Sequence, residues 1–324
     1  MKTNLMKKSV IAGFTTALVA GLAFGAAPAN AAGEKLVFIQ GVKGDGFYIT
    51  MDCGIQAAAK KAGVTVQTVG PAKFDATLQR PILASVVASK PKAILIAPND
   101  VNAMQKPLAD AAKKGIKIVL VDTTVKDPSF AVSEISSDNY GGGKAAFKAV
   151  QQLAPGGGEV LGIGVKPGIS TTDARDKGFQ DAAKASGNYT FIGQEYSQNE
   201  PSIAAQITTS AIAAHPNLKA IFASNLFSAQ GAATGIKQAG KEGQIKVIGF
   251  DAGPDQVKAL KDGTVQALIA QQPATIGADG VQQAVNALRG KKTTKKIQTG
   301  FTILTKANID SAAGKAGQYL AKCA

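Results

Sequence analysis

Polar side chains with fixed hydrogen-bonding geometry recur where short apolar runs of this chain end. Asp122 ends the run KIVLVD, Asn225 ends AIFASN and Asp251 ends KVIGFD. A planar carboxylate or amide can hold two adjacent hydroxyls of one ligand, and a charged partner strengthens each hydrogen bond. The pattern therefore predicts a site for a small polyhydroxyl ligand at the ends of β-strands.

The same criterion, applied along both halves of the chain, gives a larger set of candidates. Aromatic residues are included because a ring face can cover the apolar C–H face of a sugar. We expect ligand contacts from Asp45, Phe47, Tyr48, Asn99, Asp122, Thr123, Arg175, Asn199, Asn225, Asp251 and Gln271. Taken singly, Asp122, Asp251 and Asn99 could equally cap helices, and Phe47 could belong to the core. Their recurrence at corresponding positions of two halves favours a ligand site.

The elements that must position these residues are strands alternating with helices. Apolar, β-branched runs occupy 35–41, 65–70, 93–98, 117–122 and 130–135, and a second series occupies 159–165, 189–196, 220–225, 246–251, 265–272 and 298–304. Segments with helical periodicity lie between them, for example 48–62, 101–114, 174–185, 202–214 and 276–288. Continuous apolar strands separated by helices are typical of parallel sheets covered on both faces. The class is therefore α/β, with one architecture written twice and a first crossing near Ser136–Tyr140.

The N-terminus has the pattern of an export signal. Lys2, Lys7 and Lys8 precede an apolar stretch from Val10 to Phe24, and Ala29-Asn30-Ala31 supplies a small-x-small cleavage site. A retained membrane anchor fits less well, because threonines and glycines dilute the stretch before Pro28. We expect residues 1–31 to be a signal peptide and the mature chain to be periplasmic. The residue directly after the cleavage site is not Cys, so a lipid anchor is not expected.

Charge and cysteine content restrict the partners. The 324 residues contain 36 Lys and Arg against 22 Asp and Glu, a formal charge of +14. The lysines are scattered and not interleaved with aromatic residues, which argues against nucleic-acid binding. Cys53 and Cys323 are the two cysteines of the sequence, and in an oxidising compartment we expect a disulfide that ties the C-terminal tail to the first helix. Two separate thiols are the alternative.

Most enzyme classes lack their residues in this sequence. The single His, His215, precedes Pro216, so a Ser-His triad or a zinc site is not expected. Gly162-Ile163-Gly164 does not complete a dinucleotide fingerprint, and no phosphate-binding P-loop motif occurs. We expect no cofactor, no metal and no catalysis. A glycosidase that uses only the carboxylates of Asp122 and Asp251 is the remaining enzymatic alternative.

Seven short motifs, in order, resemble those of the periplasmic pentose- and hexose-binding proteins of the ribose-binding type, which serve ATP-binding-cassette (ABC) importers. They are Phe47-Tyr48, Pro98-Asn99-Asp100, the strand 115–122 that ends in Asp122, RDKGF at 175–179, Ala223-Ser224-Asn225, VIGFD at 247–251 and AQQP at 270–273. Three positions depart from the usual pattern. Thr123 replaces an Arg, Leu226 replaces an acid, and Asp45-Gly46 replaces Asn-Pro. No Trp occurs, so stacking on a sugar would depend on Phe and Tyr.

The resemblance implies a type I periplasmic binding protein with two doubly wound parallel-sheet lobes and a three-crossing hinge. The lobes would be 32–137 with 272–301, and 138–271 with 302–324. It also implies a monosaccharide or polyol ligand, membrane permease subunits as partners and hinge closure on the ligand; we expect a monomer. A receptor for a nucleoside or autoinducer, or one that signals to a chemotaxis or sensor partner, is the alternative. A sugar-responsive repressor would need an N-terminal DNA-binding domain, which the export signal replaces.

Overall fold

The computed structural model describes residues 33–323, and the predicted signal peptide lies outside them. The first part of the chain alternates strands and helices as the periodicity predicts. Its elements are β1 (Lys35–Ile39), α1 (Gly46–Ala62), β2 (Thr65–Val69), α2 (Ala76–Ala88), β3 (Ala93–Ile96), α3 (Gln105–Lys113), β4 (Lys117–Val121) and β5 (Ser133–Ser137).

The second part repeats the alternation. Its elements are α4 (Asn139–Leu153), β6 (Gly158–Gly164), α5 (Ser170–Ala185), β7 (Tyr189–Tyr196), α6 (Pro201–Ala214), β8 (Leu218–Ala223), α7 (Leu226–Gln238), β9 (Lys246–Phe250), α8 (Pro254–Asp262), β10 (Ala267–Ala270), α9 (Pro273–Leu288), β11 (Lys296–Thr299), β12 (Thr302–Leu304) and α10 (Ala312–Ala316). The chain goes back to the first sheet with β11 and again to the second sheet with β12.

The strands form two six-stranded sheets of the same topology. The first has the order β11-β5-β4-β3-β1-β2 and is parallel throughout. The second has the order β12-β10-β9-β8-β6-β7, with β12 antiparallel to β10 and the other pairs parallel. Strands such as AILI in β3 and ALIA in β10 are completely buried, as expected for sheets with helices on both faces. The predicted α/β class with two doubly wound sheets is confirmed.

One predicted strand is wrong in a way that matters for the hinge. The run 298–304 was expected to be a single strand, but it divides into β11 and β12, which belong to different sheets. β11 pairs with β5 through Thr299 and Ser137, and β12 pairs with β10 through Thr302 and Ala270. The chain therefore passes from one sheet to the other at residues 300–301. The chain also passes between the sheets after β5, since α4 packs against α5 and β9. It passes back after β10, since α9 packs against α1 and β4.

The C-terminal tail returns from the second sheet to α1. Cys323 forms a disulfide with Cys53 of α1, with 5.4 Å between the two Cα atoms. The Leu320 N–H donates to Thr50 Oγ1 at 2.7 Å, which holds the tail along the same helix. Within residues 33–323, every helix is too short or too polar to cross a membrane.

Candidate ligand-binding site

The start of α1 supplies the first group of side chains. Asp45 is the N-cap of this helix, and its Oδ1 accepts from the Phe47 N–H at 2.8 Å. This cap fixes where the helix begins, so Phe47 and Tyr48 of the first turn face the ends of the strands. Their rings meet edge to face with centroids 5.1 Å apart. The Tyr48 hydroxyl donates to Asp122 Oδ2 at 2.8 Å, which joins the helix to the end of β4.

Asp122 and Asp251 occupy equivalent places in the two sheets. Each directly follows a strand, and each N–H bonds to a neighbouring strand, Asp122 to Ile135 O at 2.8 Å and Asp251 to Ile269 O at 2.9 Å. Both have left-handed backbone conformations, with φ of 64° and 77°. Such a conformation costs a residue other than glycine ~1–2 kcal/mol, and backbone strain of this kind concentrates at functional sites. Neither residue caps a helix, because no helix directly follows Asp122 and Gly253 caps α8.

Arg175 is the buried cation of the site, with 3% of its surface exposed. Its Nε donates to Asn139 Oδ1 at 2.8 Å, and its Nη1 donates to Ser224 O at 3.0 Å. Its Cζ lies 3.8 Å from the centre of the Phe250 ring, so one face of the guanidinium is also covered. These contacts hold the group rigid before any ligand arrives.

The close approach of α4 to α5 explains part of the Gly141-Gly142-Gly143 run. A Cβ on Gly143 would lie 2.0 Å from Arg175 O, which no side chain can occupy. Glycine at this position therefore lets the helix that carries Arg175 pack at the depth the cavity needs.

The remaining polar groups come from the second sheet and the hinge. Asn225 caps α7 and also donates from Nδ2 to Asn199 Oδ1 at 2.7 Å. Gln271 donates from Nε2 to Asp251 Oδ1 at 2.7 Å, and its Oε1 accepts from Ser137 Oγ at 2.8 Å. Gln271 and Ser137 lie at two of the places where the chain passes between the sheets, so the site is bonded directly to the hinge.

These side chains converge on one cavity whose polar lining residues are mostly buried. Nine of the eleven predicted ligand residues line it, namely Asp45, Phe47, Tyr48, Asp122, Arg175, Asn199, Asn225, Asp251 and Gln271. The lining also includes five residues outside the predicted set: Phe74, Val165, Ile169, Thr171 and Thr172. Val165 and Ile169 are aliphatic, so a criterion based on polar and aromatic side chains does not select them.

Asn99 and Thr123 are the two predicted residues that do not line the cavity. Asn99 is fully buried, and its Nδ2 donates to Gly41 O at 2.9 Å. Thr123 Oγ1 donates to Pro98 O at 2.8 Å. Both side chains turn inward and bond the loops behind the site, because the carbonyl groups of these buried turns need donors. In this structure both residues support the site from behind, and their expected ligand contacts stay predictions.

The electrostatics of the cavity are set by three buried carboxyl groups and one guanidinium. Burial, and then the nearby Asp251 carboxylate, raise the pKa of Asp45 to about 7. Burial raises the pKa of Asp122 to about 6, although Arg175 and the Tyr48 hydrogen bond lower it. Burial also raises the pKa of Asp251. A ligand that brings further hydroxyl donors into the cavity would stabilise the charged forms of these carboxylates.

Residues 36–292 match the model of the periplasmic binding protein domain. The chain belongs to the periplasmic binding protein family. The ribose import binding protein RbsB of Salmonella typhimurium is 31% identical over 264 residues, which are 80% of this chain and 86% of that protein. The D-allose-binding periplasmic protein of Escherichia coli is 30% identical over 254 residues, 76% of this chain and 82% of that protein.

Solved structures of family members show the same two-lobed fold. An ABC transporter solute-binding protein from Agrobacterium vitis, bound to α-D-tagatopyranose, is 38% identical with a TM-score of 0.87, covering 88% of this chain and 99% of that one. A second protein from the same organism, bound to D-fucose, is 31% identical with a TM-score of 0.84, covering 88% and 100%. The chain therefore shares its fold with relatives that were solved with a bound sugar.

Proposed function

We propose that the protein is a periplasmic solute-binding protein that captures a monosaccharide or polyol between its lobes and delivers it to an ABC importer. The observation that carries this proposal is the enclosed cavity into which Asp45, Asp122, Asp251 and Arg175 converge from both sheets. The relatives support it, because those named above bind ribose, allose, tagatose or fucose.

The chemistry of the lining fits a ring with several hydroxyls. The carboxylates of Asp45, Asp122 and Asp251 accept hydroxyl protons, and the free edge of the Arg175 guanidinium donates to ring or hydroxyl oxygens. The apolar C–H face of the ring packs on Phe47. An amino acid or other zwitterion fits less well, since its carboxylate would meet an excess of negative side chains.

The two lobes of the proposed protein are residues 32–137 with 272–301, and 138–271 with 302–324. Direct contacts join them: Lys73 Nζ to Glu200 Oε1 at 2.8 Å, and the Thr124 N–H to Ser170 Oγ at 2.9 Å. These contacts support a closed arrangement of the proposed lobes. A ligand favours closure only through contacts that the open arrangement lacks, and groups from both lobes that touch one sugar provide them.

Export and delivery complete the proposal. Residues 1–31 would direct the chain to the periplasm, and the mature protein would act there as a monomer. The membrane permease subunits of the importer would recognise the closed lobes. The bound sugar would leave chemically unchanged, because the role is binding and not hydrolysis.

A thermal-shift screen of the exported protein, first unfolded and refolded to remove bound ligand, tests the proposal. The panel contains D-ribose, D-allose, D-tagatose, D-fucose, D-arabinose, polyols, nucleosides and amino acids. A ligand at ~100 times its dissociation constant adds about 2.7 kcal/mol of stability, which is readily measured. We expect a shift with a sugar or polyol, recovered unchanged by mass spectrometry. A shift only with nucleosides or amino acids, or recovery of a cleaved product, would contradict the proposal.

A pair of matched variants tests the site itself. Asp122→Asn removes a charged acceptor from the cavity and should weaken binding of the identified ligand at least ~10-fold, as expected for a hydrogen bond to a charged group. Asp127→Asn changes an exposed aspartate five residues away, outside the cavity lining, and should leave affinity unchanged. Equal affinities of both variants and the wild type would show that the ligand binds elsewhere.

A further inference from the structure

The C-terminal tail contributes a buried tyrosine to the binding site. Tyr319, three residues beyond the end of α10, is only 5% exposed. Its hydroxyl donates to Asp251 Oδ1 at 3.0 Å and accepts from the Gln271 N–H at 2.9 Å. Its ring lies 5.9 Å, centroid to centroid, from that of Phe47. Tyr319 thus touches residues of both lobes, although it does not line the cavity.

This hydroxyl has a defined effect on the carboxylate. Asp251 Oδ1 accepts two hydrogen bonds, one from Tyr319 and one from Gln271 Nε2 at 2.7 Å. Two donors on one oxygen fix the rotation of the carboxylate group, which leaves the other oxygen to meet a ligand. The Tyr319 hydrogen bond also lowers the pKa of Asp251, against the effect of burial.

Hydrogen bonds and one disulfide hold the tail in this place. Residues 317–323 belong to no helix or strand. The Tyr319 N–H bonds to Ala252 O at 2.9 Å and the Leu320 N–H bonds to Thr50 Oγ1 at 2.7 Å. Four residues beyond Tyr319, the disulfide from Cys323 to Cys53 ties the tail to α1. A terminus is ordinarily loose unless it is tied down, so this bond is the covalent support of Tyr319.

We propose that Tyr319 is a positioning residue for Asp251, and that the Cys53–Cys323 disulfide sets ligand affinity by holding Tyr319 in place. The inference rests on the proposed function, since it concerns the same cavity. A dithiol reductant would reverse the effect: it is oxidised to its own disulfide, while Cys53 and Cys323 take up two electrons and two protons as thiols. Affinity would then fall because the tail, and Tyr319 with it, leaves Asp251.

Binding measurements on matched tyrosine variants test the positioning role. Tyr319→Phe removes one hydroxyl and should weaken binding of the sugar found in the screen about 10-fold or more, as for hydrogen bonds to charged groups. Tyr189→Phe is the control: this tyrosine is also buried, and its hydroxyl donates to Ala154 O at 2.7 Å, but it does not line the cavity. We expect Tyr189→Phe to lower stability without changing affinity. Equal affinity in all three proteins would overturn the inference.

Combining variants tests the disulfide. Cys323→Ser should weaken binding in the same direction as Tyr319→Phe, and the double variant should bind no more weakly than Tyr319→Phe alone, because both changes act through one hydroxyl. Additive losses of affinity would show that the disulfide acts by another route.

A readout without ligand separates this inference from the proposed function. Titration of the Asp251 carboxyl carbon by NMR should show a higher pKa in Tyr319→Phe and in Cys323→Ser than in the wild type, with no change in Tyr189→Phe. If no sugar binds but the pKa rises as expected, the proposed function fails and the positioning role stands. An unchanged Asp251 pKa in Tyr319→Phe would overturn the positioning role whatever the ligand.

Discussion

Replacing Asp45 with Asn should stabilise the ligand-free protein at alkaline pH. The side chain is 6% exposed and its Oδ1 caps α1 by accepting from the Phe47 N–H. Asn is also a good N-cap, so the helix start is preserved. What the substitution removes is a charge held in an enclosed cavity, where burial and Asp251 raise the pKa to about 7.

The size and sign of the effect follow from the two pKa values. In the unfolded chain the carboxyl has its ordinary pKa of 3.8, and in the folded protein its pKa is about 7. Between these values the folded state binds the extra proton, so the free energy of unfolding falls as pH rises and the loss is complete above pH ~7. At about 1.4 kcal/mol per pKa unit, the loss approaches ~4 kcal/mol. Asp45→Asn abolishes this loss, so the free energy of unfolding of the variant should exceed that of the wild type at pH ~8 and equal it at pH ~4.

Urea unfolding of the ligand-free protein at several pH values measures this difference. Asp75→Asn is the matched control, because Asp75 is the N-cap of α2 and its Oδ1 accepts from the Thr77 N–H at 2.7 Å. There the hydrogen bonds from Thr77 lower the pKa, so the charge is favourable and the substitution should destabilise the protein at pH ~8. An Asp45→Asn variant that is no more stable than the wild type at pH ~8 would refute the argument that burial disfavours this charge.

Three further predictions concern packing, pH and the tail. Gly143→Ala should lower both stability and ligand affinity, because the new Cβ would lie 2.0 Å from Arg175 O. Gly156→Ala is the control: its new Cβ would have no atom within 4 Å, so neither quantity should change. Calorimetry measures both. Ligand affinity should fall as pH drops from 8 to 5, since the raised pKa values of about 7 and about 6 let two cavity carboxylates take up protons and lose acceptor strength; titration calorimetry across that range measures it, and a flat profile would contradict the role of these groups. Cys323→Ser opens a cross-link that spans 270 residues and should cost about 6 kcal/mol of unfolding free energy in the chain-entropy view; urea unfolding measures it, and an unchanged free energy would contradict that view.

The fold was largely predictable because its signals are local. Apolar runs such as AILI in β3 need only a few adjacent residues, and their continuity already indicates burial on both faces. The run QTGFTIL was predicted as one strand for the same reason, because its division depends on which distant strand each half pairs with, β5 or β10. The resemblance, and not the local pattern, placed the lobe boundary between residues 301 and 302.

The site shows the same division between local and long-range information. The position of Asp122 and Asp251 at strand ends is written in the sequence, and parallel sheets bring such ends to one edge. The sequence does not show that Asp122 lines the cavity whereas Asn99 does not. Both residues follow buried strands, and only the packing of nearby loops turns Asn99 inward and Asp122 toward the cavity.

The sequence by itself determined the α/β class and the repeat of one architecture, and it predicted a polyhydroxyl ligand and the pairing of Cys53 and Cys323. These follow from periodicity, residue type and compartment, which need no coordinates. Only the tertiary structure decided the enclosure of the cavity, the raised pKa of Asp45 and the contact of Tyr319 with Asp251. Enclosure, desolvation and that contact arise when segments far apart in the chain exclude water together, and no local pattern encodes that.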